Sequence, residues 1–179
     1  DTCQVTAVAQ RAVSGANERG ARALLYPTLP VGNNVNFRAF TFALRMGVRT
    51  LMSVIVDLVA QCRDDGIRKV VLPHGPGGNT AAVAAALREL AGMDDMPFVC
   101  LGNGVPEEFE SPVENWSNHG GESEKPWHLY VPASAGGDCR KATPEKGEAL
   151  IDAGARFLAD LLVELSAAEM TGHFPFSAP

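Results

Sequence analysis

Residues Glu114 to His128, ENWSNHGGESEKPWH, gather three carboxylates, two imidazoles and two indoles within fifteen positions. Carboxylate and imidazole together form a hard-to-borderline donor set suited to Zn, Mn or Fe, and both groups also move protons near neutral pH. Gly120 and Gly121 let the backbone fold so that His119 and Glu124 converge. Glu122 and the indole of Trp116 stand beside them as expected substrate contacts. The alternative is a solvated loop whose acids simply face water.

A second candidate is Pro73-His74-Gly75-Pro76-Gly77-Gly78-Asn79, whose three glycines and two prolines suit a tight turn with backbone N–H groups facing a ligand. His74 and Asn79 are its candidate binding side chains. The run matches neither the G-x-x-x-x-G-K-[ST] phosphate loop nor the G-x-G-x-x-G dinucleotide fingerprint. Its other reading is close helix-to-sheet packing, with Asn79 as a helix cap. A third candidate is the stretch 27–48, PTLPVGNNVNFRAFTFALRMGV, with turn formers first and aromatics afterwards. Loops of this kind, placed after a strand, carry ligand-binding residues, here Asn34, Asn36 and Phe37.

These loops need a scaffold, and the pattern supplies alternating elements. Val5, Val8, Ala9, Ala12 and Ala16 recur at helical spacing, and Gly20 ends that helix. Ala21–Tyr26, with ALLY stopped by Pro27, reads as a strand. A helical stripe from Leu51 to Cys62 precedes a strand at Lys69–Leu72. An Ala/Leu-rich helix over Thr80–Leu90 precedes a strand at Pro97–Leu101. Thr143-Pro144-Glu145 is a helix start with a side-chain cap, a proline at the first helical position and an acid near the positive dipole end. The order predicts an α/β fold: a three-layer αβα domain with a largely parallel central sheet, spanning residues 1–179. Ligands collect beyond the carboxyl ends of such strands, so the loops after Tyr26, Leu72 and Leu101 should share one rim.

The chain of 179 residues is 46% hydrophobic, and its 15 basic against 21 acidic residues leave a formal charge of −6. That balance argues against a nucleic-acid partner, and the absence of a long apolar run argues against a membrane span. Cys3, Cys62, Cys100 and Cys139 are too dispersed for a disulfide framework or a C-x-x-C metal site, and read as free thiols of a cytoplasmic protein. No serine sits in a G-x-S-x-G elbow.

Along its whole length the sequence resembles the creatininase, or creatinine amidohydrolase, family. PTLPVGNN looks like the family's loop after its second strand, LPHGPGGNT like V-N-G-H-G-G-N-T, and NHGGESEK like H-A-G-x-x-E-T; DCRKATPEKGEAL resembles the start of the C-terminal helix. Asp1 matches the last acid of the family's E-x-H-G-x-H-L-P-x-x-T-D motif. The resemblance implies metal-dependent hydrolysis of a C–N bond, with Asp1 and Glu124 as metal ligands and His119 as the catalytic imidazole. It also implies an altered metal site. Pro76 stands where the family's metal-binding His falls, His74 occupies the Asn position, and Asn36, Phe37, Phe40 and Phe42 replace a polar substrate wall.

Three functional readings follow. One is an amidohydrolase acting on an amide, cyclic amide or formamide with Zn, Mn or Fe. The second is a metal-free enzyme of a biosynthetic route on the same fold, acting by cyclisation, dehydration or amide exchange, and the third is a noncatalytic binding subunit. A small-molecule substrate and a homo-oligomer are expected. The family motif that should precede Asp1 leads to one more expectation. A segment of roughly 30 to 50 residues, enough for a strand and a long loop, is expected to remain bound as a companion peptide after cleavage before Asp1.

Overall fold

The computed structural model of the chain describes residues 2–74, 77–102, 138–170 and 174–175. Six regular elements follow one another: α1 (Thr2–Glu18), α2 (Val48–Asp64), β1 (Lys69–Leu72), α3 (Thr80–Leu90), β2 (Phe98–Leu101) and α4 (Pro144–Ala167). β1 and β2 pair in parallel, with Val70 opposite Val99 and Leu72 opposite Leu101, and α3 forms the crossover between them. This is the βαβ unit that the alternating pattern predicts.

The side-chain period of two in β1 sorts the core into two layers. Val70 and Leu72 pack with Val99 against Leu51, Ile55, Val59, Val83, Ala86 and Leu90 of α2 and α3. Val71, pointing the other way, packs against Ala12, Ala16, Leu158 and Ala159 of α1 and α4. The sheet is thus covered on both faces, as the α/β reading requires.

α1 and α4 approach through small residues. Ala12, Ala16, Ala155 and Ala159 are buried, and a methyl group on Gly15 would lie 4.0 Å from the Ala159 side chain. Arg11 pairs across this seam with Glu148 at 2.9 Å and with Asp152, while Arg19 pairs with Asp160 at 2.5 Å. Such exposed pairs contribute little stability.

Helix ends follow local chemistry. Gly20, at φ +90°, ends α1 with Ala21 N donating to Ala16 O at 3.0 Å, the left-handed closure that a side chain would strain. At α4 the Thr143 hydroxyl accepts from Lys146 N at 3.3 Å, with Pro144 at the first turn. Glu145 sits on the positive end of the dipole. Its own backbone N–H and the Thr143 hydroxyl hold its carboxyl below the usual carboxylate range. Thr143→Ala is expected to lower stability by about 1 kcal/mol, read as a lower urea midpoint with an unchanged slope.

One element departs from the sequence reading. Ala21–Tyr26 is irregular, and no main-chain hydrogen bond joins it to β1 among the described residues. A groove separates the two segments, and Pro27 and Pro30 lack the N–H a ladder needs. The described sheet therefore has two strands where the sequence predicts three. No helix among the described residues is long and apolar enough to cross a membrane. Cys3, Cys62 and Cys100 are free thiols; burial pushes the Cys100 thiol up.

Candidate active site

β1 ends at Leu72, and Pro73 and His74 follow it directly at the carboxyl edge of the sheet. β2 ends beside it, where a methyl group on Gly102 would lie 3.5 Å from Pro73 and 2.9 Å from the Val71 side chain. The loop 32–36 completes this edge. It is strapped to the start of α3 by Asn79, whose Oδ1 accepts from Asn33 N at 2.8 Å across 46 residues of sequence. Residues 32–33, Pro73, Asn79 and Gly102 therefore meet at one rim.

The strap works by close approach. A methyl group on Gly32 would meet Asn79 Oδ1 at 2.6 Å, and one on Gly78 would meet the Asn33 carbonyl at 2.7 Å. Only glycine allows both contacts. Asn33 itself is 4% exposed, which makes its N–H costly to leave unpaired. Inside the loop, Val35 N donates to Asn33 Oδ1 at 3.4 Å, Asn34 Nδ2 to Leu44 O at 3.2 Å, and Met46 N to Gly32 O at 2.9 Å. Asn79 does not cap α3 through its side chain, because its amide oxygen is committed to Asn33. Asn79→Ala is expected to cost about 1–3 kcal/mol, seen as a drop of several degrees in the thermal midpoint.

Of the sequence-predicted residues, Asn34, His74 and Asn79 line one groove of about 580 Å³ that reaches the rim. Asn36 lies close by, with its amide oxygen 3.9 Å from where a methyl on Gly78 would sit. Phe37 is part of a short 3-10 turn, Val35–Phe37, and its ring faces Phe40 at 5.9 Å between centroids rather than lining the groove. Asp1, Pro76, Trp116, His119, Glu122 and Glu124 lie outside the described residues. Asn33, Gly32 and Gly78 were not singled out from sequence as functional. The only signal was the asparagine doublet after Gly32, in which the outer member, Asn34, attracts attention and the inner one is buried.

Among the described residues no three of His, Cys, Asp and Glu gather closely enough to hold a metal ion. The described rim contributes one imidazole and several amides, a poor donor set for Zn, Mn or Fe. Those residues alone do not fit a divalent ion. Tyr26, on the groove wall, has its phenol pushed up by the neighbouring Cys62 first and by burial second.

A three-layer αβα domain with its polar loops strapped together at the carboxyl ends of parallel strands has the architecture of an α/β enzyme. The chain belongs to the creatininase family: the family model described as creatinine amidohydrolase matches residues 1–135. Members of that family generally use a divalent metal. The crystal structure of a "putative creatinine amidohydrolase" from Bacteroides fragilis NCTC 9343 superposes with a TM-score of 0.77 at 21% identity, covering 96% of this chain and 83% of that one. At that identity the likeness establishes the fold. No curated protein matches the chain.

Proposed function

We propose that the chain is an amidohydrolase that cleaves the C–N bond of a small amide, cyclic amide or formamide at the rim where β1 and β2 end. The family match over residues 1–135 carries this reading. The strapped loop supports it, because Asn34, His74 and Asn79 line the groove, and their amides and imidazole suit a polar substrate. In this reading His119 delivers a proton to the departing nitrogen, and the Trp116 indole and Glu122 contact the substrate. Asp1 and Glu124 are the carboxylates offered to a divalent ion, in a site altered by Pro76. When bound, such an ion supplies a water of lowered pKa.

The test is a panel of creatinine, other cyclic amides and linear formamides, assayed for amine or formate release before and after chelation and with Zn, Mn or Fe restored. Hydrolysis of one class, lost on chelation and recovered with one metal, is the expected result. Turnover indifferent to chelation would favour the metal-free chemistry. No hydrolysis of any member by folded, metal-supplemented protein would overturn the amidohydrolase reading in favour of a binding subunit.

A further inference from the structure

The hydrogen bond that straps the rim also decides which end of the Asn79 amide is left for a ligand. A main-chain N–H can only donate, so the atom that accepts from Asn33 N at 2.8 Å is the amide oxygen, Oδ1. The rest of the group has little room to turn, because Gly32 sits against its face: a methyl on Gly32 would lie 2.6 Å from Oδ1, 3.0 Å from Nδ2 and 3.2 Å from Cγ. The amide is held at one end and along one face. Its Nδ2 makes no hydrogen bond among the described residues, and Asn79 lines the groove that reaches the rim.

The second amide of the groove is turned the other way. Asn34 Nδ2 donates to Leu44 O at 3.2 Å, which leaves its oxygen as the free end. Asn33 stays out of the groove lining, 4% exposed, with its own Oδ1 accepting from Val35 N at 3.4 Å. Asn79 is thus the groove amide whose unpartnered end is a pair of N–H donors, and it stands immediately before α3, whose positive dipole end adds to the same polarity. A group of this kind attracts an oxygen that carries negative charge.

Hydrolysis of an amide creates such an oxygen. The water oxygen bonds to the carbonyl carbon and the C=O electron pair moves onto the carbonyl oxygen; when that pair returns, the C–N bond breaks and its electrons leave on nitrogen with a proton that water has given up. The charge on the carbonyl oxygen is largest between those two events, and a donor already in place stabilises it without reorganising. We propose, resting on the amidohydrolase reading, that Asn79 is a catalytic residue whose Nδ2 donates to the carbonyl oxygen of the substrate as that charge develops, while the Asn33 N–H and the bare Gly32 position the amide. One side chain then has a task at each end. Oδ1 holds the loop, and Nδ2 meets the substrate.

Asn79→Asp separates the two tasks, because aspartate keeps an oxygen to accept from Asn33 N, suits the start of α3, and has no N–H on its side chain. The experiment measures kcat, KM and the thermal midpoint of wild type, Asn79→Asp and Asn79→Ala with whichever amide the wild type hydrolyses. Expected for Asn79→Asp is a kcat lower by about 10²- to 10³-fold, with KM little changed and a midpoint equal to wild type or higher. Asn79→Ala loses both activity and midpoint. A purely structural strap would make turnover follow the midpoint, so near-normal kcat in folded Asn79→Asp protein would overturn the proposal and leave the amidohydrolase reading intact. A wild type that hydrolyses no amide would overturn both. If Asn79→Asp is as unstable as Asn79→Ala, nuclear magnetic resonance of the Asn79 side-chain amide protons in the wild type decides. A downfield shift on saturation with the carboxylic acid released from the substrate supports the contact, and unmoved resonances overturn it.

Discussion

Replacing His119 with Asn is expected to lower kcat by roughly 10²- to 10⁴-fold, the range over which a positioned proton-transfer group contributes. The residue lies in NHGGESEK, in the stretch of sequence that follows Gly102, and Gly102 stands against Pro73 at the rim. Cleaving a C–N bond requires a proton at the nitrogen as it departs, since an amide anion is a very poor leaving group. An imidazole exchanges that proton near neutral pH, whereas the Asn amide keeps comparable polarity but does not titrate there. The loss should fall on kcat with KM little changed, and the limb of the pH profile that reports the imidazole should flatten. Circular dichroism and the thermal midpoint of the variant supply the folding control. Near-normal turnover in folded His119→Asn protein would remove the proton-transfer role and leave the rest of the proposed site standing.

Lys69→Met should cost about 2–3 kcal/mol, a large fraction of the stability of an ordinary domain. Lys69 sits at the start of β1 and sends its ammonium to the far end of α4, where it donates to Leu165 O at 2.7 Å and to Ala168 O. These are among the last carbonyls of the helix, which have no partner inside it and carry the negative end of its dipole. Met keeps the length and apolar stem of the side chain, so the loss reports the two charge-assisted bonds rather than a cavity. The thermal midpoint should fall by roughly 4 to 12 °C for a chain of this size. Lys69→Arg, which keeps the charge, should lose less. A change within about 0.5 kcal/mol for Lys69→Met, the scale of a neutral surface substitution, would show that the contact does not anchor the helix.

Much of this architecture was legible because its causes are local. The helix read over Thr80–Leu90 is α3 with the same limits, and the strand at Lys69–Leu72 is β1 with the same limits, since short periodic runs bounded by turn formers carry their own signal. The Thr143 cap depends on groups only three residues apart and formed as its sequence implies. The family, too, was visible in motifs spread along the chain, and the match over residues 1–135 bears it out.

Other features depended on groups that sequence order does not bring together. Ala21–Tyr26 has the composition of a strand, but a strand exists only when a neighbour presents N–H and C=O groups at ladder distance, and in this structure a groove lies between that stretch and β1. The joining of Asn33 to Asn79, across 46 residues, and of Lys69 to the end of α4, across 96, is equally invisible in a local window. What the sequence by itself determined was the set of helices, the two paired strands, the αβα class and the family. The tertiary structure alone decided which asparagine is buried, which glycines must be bare, and which edge of β1 is left open, because each is a matter of distance between segments that only folding sets.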